Sequence, residues 1–304
     1  MRCKICKENN IQLIYDGPIR NGKVCNDTHE HVPIYQCKNC GTIWHEKVER
    51  NYAKYYESLE YRKELEDATG MDEFYRLHDF ETLDKFQYTG TDIYRNKIVA
   101  DIGCGGGAFL DFLKGVAAVT IGIEPSEYYR KELEKKGHIV YSYADKAKEE
   151  LKNKIDVITS FDVIEHVEDP IRFMKDIYEL LSPKGEAIIG TPTEAPILRQ
   201  LVGTTFESQL LFSIQHLWIF GEKSLSLIAR KAGFEEISIK FKQRYGIGNL
   251  IAWLQTNEPK GHISYEFLTE TLDVVWKNEC CEQGLADYIL IYLKKGNTSV
   301  EFDV

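Results

Sequence analysis

The residues best suited to chemistry lie between positions 99 and 170. Val99-Ala100-Asp101-Ile102-Gly103-Cys104-Gly105-Gly106-Gly107-Ala108 sets an acid ahead of glycines at 103, 105 and 107. Glycine lets a ligand lie against bare backbone and permits a positive φ, and such a turn aims the N-terminus of the next helix at whatever is bound. Glu124 closes the next apolar run, where a carboxylate can accept hydrogen bonds from both hydroxyls of a ribose. Asp145 follows a third run, where it could also cap the helix beginning there. A fourth run ends in Phe161-Asp162-Val-Ile-Glu165-His166, two acids and an imidazole that could hold a divalent cation able to polarise a hydroxyl.

These turns need strands to aim them. Apolar runs at 98–102, 118–123, 138–143, 155–161, 186–192, 234–241 and 286–293 alternate with helical patterns at 126–136, 171–181, 221–233 and 265–278. That alternation predicts a doubly wound, mostly parallel α/β sheet. Parallel sheets bind ligands at the carboxyl ends of their strands, so the segment 162–170 is expected to face the same cleft as the glycine turn. Pro170 suits the first turn of the helix that follows. Residues 193–220 break the alternation and read as a lid or helical insert ending in Gln215-His216-Leu-Trp218, where His216 is the first choice for a general base, with a structural histidine as the alternative. Residues 51–91 read as a tyrosine-rich helical cap, with Tyr55, Tyr56 and Arg62 as candidate ligand contacts.

At the N-terminus, Cys3-x-x-Cys6 and Cys37-x-x-Cys40-Gly41 supply four thiolates in two pairs, separated by residues 7–36. Two such pairs can close a tetrahedron around one zinc ion, and four protein ligands make that site structural rather than catalytic. Cys25, His29 and His31 lie in the intervening loop as spare ligands. The expected division is a zinc-binding lobe at 1–50, a helical cap at 51–95, and an α/β domain at 96–304 carrying the insert at about 193–220.

The 304 residues carry 43% hydrophobic and 28% charged residues, an ordinary globular composition. A net charge of −10 works against tight binding of a phosphate backbone. No stretch reads as a signal peptide or membrane span, so a cytoplasmic location is expected, with the eight cysteines reduced.

The Asp-x-Gly-x-Gly-x-Gly run with Glu124 beyond it resembles the first motifs of class I S-adenosylmethionine (SAM) dependent methyltransferases, and the likeness covers about residues 95–240. Dinucleotide folds use Gly-x-Gly-x-x-Gly to receive an anionic pyrophosphate, whereas SAM brings an amino-acid end and a sulfonium that tolerate a nearby carboxylate. The resemblance implies a Rossmann-like seven-stranded sheet with the last strand antiparallel, beside a small zinc-ribbon-like lobe. It also implies SAM contacts at Asp101, Gly103, Gly105, Gly107, Glu124, Asp145 (adenine), Phe161 and Asp162, and catalytic roles for His216, His166 and Glu165. Asp162-x-x-Glu165-His166 is similar to a metal motif of ubiquinone-pathway O-methyltransferases, with Asp in the first place. A cysteine lobe ahead of this domain is similar to sugar C-methyltransferases. Those enzymes pair a glutamate with the histidine where Gln215 stands here, and they run longer at the C-terminus. The expected acceptor is a sugar or nucleotide-linked sugar, methylated on oxygen. The alternatives are a ribosomal RNA base methyltransferase and a non-catalytic SAM-binding scaffold whose cysteine lobe docks a partner.

Overall fold

The computed structural model describes residues 1–46, 51–66 and 70–296. Its strands in chain order are β1 (Ile11–Gly17), β2 (Val32–Cys37), β3 (Ile43–His45), β4 (Ile98–Ile102), β5 (Val119–Ile123), β6 (Ile139–Tyr141), β7 (Ile155–Phe161), β8 (Leu181–Pro192), β9 (Trp218–Ile219), β10 (Glu236–Lys242) and β11 (Tyr288–Lys294). The helices are α1 (Tyr52–Glu57), α2 (Glu60–Glu66), α3 (Met71–Thr89), α4 (Ala108–Leu113), α5 (Glu127–Lys135), α6 (Ala144–Leu151), α7 (Pro170–Leu180), α8 (Pro196–Val202), α9 (Thr204–Phe206), α10 (Glu222–Lys231), α11 (Ile247–Thr256) and α12 (Glu270–Glu282). Seven strands hydrogen-bond in the order β10-β11-β8-β7-β4-β5-β6, and the last of them in the chain is antiparallel, as the resemblance implies.

The chain divides into two compact units, one of Met1–Val48, Gly190–Leu227 and Ile239–Ile291, the other of Glu49–Ile189, Ile228–Ser238 and Tyr292–Val304. In the second unit β4 lies between β5 and β7, parallel to both, and β5 is parallel to β6. β4, β5 and β7 are almost wholly buried, as strands covered on both faces are, although each carries polar residues, Asp101, Thr120 and Thr159 among them. α7 begins where the sequence places it, with Pro170 in its first turn and the Asp169 carboxylate accepting from the Ile171 and Arg172 N–H groups at 3.0 and 2.9 Å. The tyrosine-rich segment breaks into α1 and α2 at Ser58, whose hydroxyl bonds the Tyr55 carbonyl and so ends α1.

In the first unit β1, β2 and β3 form an antiparallel meander, and β9 adds to its edge, with Ile43 paired to Ile219 and Trp44 to Trp218. Phe206, Leu211, Phe212, Ile214 and Ile219 of the 193–220 segment share one core with Ile19, Ile34 and Ile43. That burial is what a fifty-residue lobe lacks by itself.

Several boundaries differ from the expected ones. β6 is shorter than 138–143, β8 starts at Leu181 instead of 186, and the last helix is 270–282 instead of 265–278. α11 (Ile247–Thr256) was not expected at all: its N-cap is Gly246, which has no side chain to signal a helix start. Cys280 is buried in α12 and the Cys281 Sγ receives the Gln243 N–H at 3.2 Å, which fits packing at a helix end. The polar tail expected after Lys294 lies, beyond residue 296, outside the described residues.

Candidate active site

The glycine turn connects β4 to α4. Gly103 and Gly107 have φ of +77° and +86°, and a Cβ there would lie 2.3 Å from Val163 Cγ2 and Leu133 Cδ2 respectively, so both the backbone and its neighbours require glycine. The Gly106 carbonyl is held by the Tyr75 hydroxyl at 3.2 Å and Lys136 Nζ at 3.3 Å. Asp101, 3% exposed, receives the Thr159 hydroxyl at 2.7 Å from the residue beside it in the β4–β7 register. Burial pushes the Asp101 carboxyl up to about 6, while Lys85 and the Thr159 hydroxyl pull it back in part.

Glu124, at the end of β5, is also 3% exposed, and its two oxygens accept from the Gly105 and Ser126 N–H groups at 2.9 Å each. Burial raises its pKa, opposed by the Ser126 N–H, the Arg62 charge, the Gly105 N–H and the Arg130 charge. A buried acid is thus bonded directly to the glycine turn. The Arg130 guanidinium donates to the Glu124 and Pro125 carbonyls and fixes the turn that carries it.

The cap supplies the other wall of the second unit's site. A Cβ on Gly105 would meet the Phe74 ring at 2.9 Å and Arg62 Nη2 at 3.3 Å, so both side chains lie against the turn. Arg62 Nε donates to the Tyr61 hydroxyl at 2.9 Å, and its Nη1 is 3.2 Å from His78 Nε2. The Tyr55 hydroxyl donates to Glu64 at 2.8 Å, and the Tyr56 hydroxyl lies 3.0 Å from His166 Nδ1. Burial raises the Tyr56 pKa well above the ordinary tyrosine value.

Phe161 is buried with Lys85 Nζ 5.5 Å from its ring centre, Asp162 is exposed and held at φ +57°, and Glu165 is 1% exposed with Oε1 3.9 Å from His166 Nε2. A non-glycine residue at positive φ is uncommon and marks a turn fixed by its surroundings. Asp145 is exposed in the first turn of α6 and accepts from the Lys146 N–H at 2.9 Å; the N-cap position itself is Tyr143. Sequence reasoning missed Thr159 and Lys85, and read Phe74 only as one of the cap's packing aromatics. Thr159 follows from strand register alone, whereas Lys85 and the Phe74 contact with the glycine turn arrive from a helix with no local signal for them.

In the first unit, Cys3, Cys6, Cys37 and Cys40 bring their sulfurs within 4.8 Å of one another. The Cys3–Cys40 and Cys6–Cys37 sulfurs are 3.6 and 3.4 Å apart, close to the ~3.8 Å edge of a tetrahedron with zinc–sulfur bonds of about 2.3 Å. Burial pushes the Cys3 thiol up to about 12, so a cation entering there would displace its proton. Cys25, His29 and His31 are exposed and outside this cluster. His216 is half-buried in a turn where the Ser213 hydroxyl oxygen accepts from the Gln215 N–H at 3.1 Å and the His216 N–H at 3.4 Å. The same hydroxyl donates to Gln215 Oε1 at 2.8 Å, which gives Gln215 a structural task.

A glycine turn bonded to a buried acid at the end of the second strand, on a sheet of this order, defines a class I SAM-dependent methyltransferase. The chain belongs to the methyltransferase domain family, whose model matches residues 71–239, more than half of its length. It is similar to the ubiquinone biosynthesis O-methyltransferase of Pseudomonas paraeruginosa, 28% identical over 148 residues that cover 46% of this chain and 64% of that one. The ubiquinone biosynthesis O-methyltransferase of Pseudomonas aeruginosa (strain LESB58) is 28% identical over 174 residues, 54% of this chain and 75% of that one. Among solved structures, a SAM dependent methyltransferase from Archaeoglobus fulgidus shares the fold with a TM-score of 0.50 and 19% identity over 74% of this chain and 97% of that one. No helix among the described residues is long and apolar enough to cross a membrane.

Proposed function

We propose that this enzyme moves a methyl group from SAM to a hydroxyl of a small polar molecule. The observation that carries the cofactor half is Glu124, a buried acid bonded to Gly105 where a ribose would lie. On this reading Gly103, Gly105 and Gly107 receive the cofactor's amino-acid end, Asp101 faces its cationic groups, and Arg62 its carboxylate. Glu124 takes the ribose hydroxyls, and Asp145, Phe161 and Asp162 border the adenine. SAM supplies a methyl group already activated on a sulfonium. The residues have only to align an in-line displacement in which the O–C bond forms as the C–S bond breaks, and to accept the hydroxyl proton. His216 is our general base, with His166 oriented by Tyr56 as the second candidate and Glu165 behind it.

Transfer to oxygen is supported by the names of the similar Pseudomonas enzymes. Those names point to ubiquinone biosynthesis and not to carbohydrate, so a sugar acceptor rests on the cysteine lobe alone. Four converging thiols in two Cys-x-x-Cys pairs fit a structural zinc and leave it no open position. A divalent cation at Asp162, Glu165 and His166 is a weaker fit, because Asp162 is exposed and Glu165 buried. We assign the zinc-binding lobe to residues 1–50, the cap to 51–95 and the methyltransferase domain with its insert to 96–304.

The test is SAM binding by calorimetry, followed by S-adenosylhomocysteine release with panels of phenols, catechols and nucleotide sugars. Turnover with a hydroxylated compound is the expected result. Binding without turnover on any panel would favour the non-catalytic scaffold, and salt-dependent RNA affinity would favour an RNA substrate. Activity that survives a magnesium chelator would remove the divalent cation.

A further inference from the structure

We infer that the four-cysteine lobe is the clamp that fixes the loop carrying His216, with Arg20 and His45 as its positioning residues. The catalytic meaning of the clamp rests on the reading of His216 as general base; the clamp itself does not. The connection runs from the thiols outward. The Cys37–Cys40 knuckle closes through the Gly41 N–H to the Cys37 carbonyl at 2.8 Å and the Cys37 N–H to the Thr42 carbonyl at 2.9 Å. Thr42 is fully buried, with its hydroxyl 3.1 Å from Cys40 Sγ, and the next residue opens β3. A metal held by that knuckle therefore sets the start of β3.

β3 and its neighbours then grip the loop at three points. Ile43 and Trp44 pair with Ile219 and Trp218, directly after His216. Arg20 exchanges two backbone bonds with the other side of the loop, its N–H to the Phe212 carbonyl at 2.9 Å and its carbonyl from the Ile214 N–H at 3.0 Å. His45, the last residue of β3 and 4% exposed, has Nδ1 2.7 Å from the Glu46 carbonyl, and its Nε2 is buried without a hydrogen-bond partner among the described residues, with the backbone of Ser213 and His216 near the ring. Lys4, between the first pair of cysteines, sits with its ammonium 5.7 Å from the Trp218 ring centre.

Inside the loop the Ser213 hydroxyl bonds Gln215 and the His216 N–H, and a short π-helical stretch, Glu207–Leu211, precedes it. Its apolar residues Phe212, Ile214 and Ile219 pack on Ile19, Ile34 and Ile43 of the lobe. A general base must be held within hydrogen-bond reach of the proton it takes, so a loop fixed from one side by a metal-closed knuckle would make catalysis depend on that metal without the metal touching substrate.

The experiment is amide hydrogen exchange on the full-length protein, zinc-loaded and after treatment with a zinc chelator, with bound metal counted by mass spectrometry. Exchange across residues 212–219 is expected to rise by at least about tenfold on metal loss, while the β4 and glycine-turn amides keep their protection and SAM affinity changes by less than about threefold. Unchanged exchange at 212–219 would overturn the inference, as would equal loosening of the glycine turn. With zinc retained, His45→Leu is expected to raise exchange at 213–217 and to lower kcat about tenfold with the KM for SAM unchanged, and His45→Gln, which keeps a donor, to restore part of both. Wild-type exchange in both variants would remove His45 from the clamp. Full turnover by His216→Ala would sink the general base and leave the exchange result to decide the clamp.

Discussion

Replacing Asp101 with asparagine tests the electrostatics on which the glycine turn depends. The carboxyl is 3% exposed, and burial pushes its pKa up to about 6 from the 3.8 of an unperturbed aspartate, with Lys85 and the Thr159 hydroxyl opposing that shift. A folded-state pKa above the unfolded one means that the native state holds the proton more tightly. The stability this contributes is complete below about pH 3.8 and is lost as the pH rises through about 6. At about 1.36 kcal/mol per pH unit, the loss reaches about 3 kcal/mol. Asparagine keeps an acceptor for Thr159 and never ionises. Urea unfolding of the two proteins from pH 4 to pH 7.5, without SAM, should show the variant gaining about 2.4 kcal/mol on the wild type across that range, the rest lying below pH 4. A difference that stays flat would refute the reasoning, because Asp101 would then titrate as an ordinary exposed carboxylate. SAM reverses the sign: a cation beside Asp101 favours the ionised form, so wild-type affinity should tighten from pH 5 to pH 7 while the variant binds weakly at both, as read by calorimetry.

Gly107→Ala forces a side chain onto a φ of +86° and into Leu133, so thermal unfolding should show a loss of at least about 1–3 kcal/mol, together with lost SAM binding. Glu124→Ala leaves the buried Gly105 and Ser126 N–H groups without their acceptor, at about 1–3 kcal/mol each, and Glu124→Gln should fall between it and the wild type in both stability and SAM affinity. His216→Ala should lower kcat by about 10²–10⁴ with SAM binding intact, whereas Tyr56→Phe, which removes only the hydroxyl beside His166, should cost less than about tenfold. Steady-state kinetics on the acceptor found in the panel separates the two; the reverse order would move the base to His166.

The legible part of this protein is the part written in local sequence. Asp101 to Gly107, the apolar runs of β4, β5 and β7, and Asp169-Pro170 at the start of α7 each carry their own conformational instruction, and each stands at the expected place. What could not be read was long-range pairing. Trp218-Ile219 gives no sign that its partner is Ile43-Trp44, and nothing in residues 193–220 shows that Phe212, Ile214 and Ile219 share a core with Ile19, Ile34 and Ile43. Lys85 and Phe74 stand in the same position: each lies on a helix whose own pattern is served by solvent and neighbours, and only tertiary packing brings them to Phe161 and Gly105.

If Glu124 takes the ribose as proposed, the acid needs little rearrangement to do so. A carboxylate oxygen offers about two lone-pair sites, and one on each oxygen is taken by a backbone N–H of the turns that shape the cleft. The remaining lone pairs are the ones two hydroxyls would use. Ribose binding would then add to the bonds that hold Glu124 instead of breaking them, so the orientation of the acid is set by folding and not by the ligand. The same two N–H groups, with the Arg62 and Arg130 charges, work against the burial that raises the Glu124 pKa. Ordering the acid and favouring its charged form are therefore one arrangement, and a variant that disturbs the Gly105 or Ser126 backbone should weaken ribose recognition even with Glu124 intact.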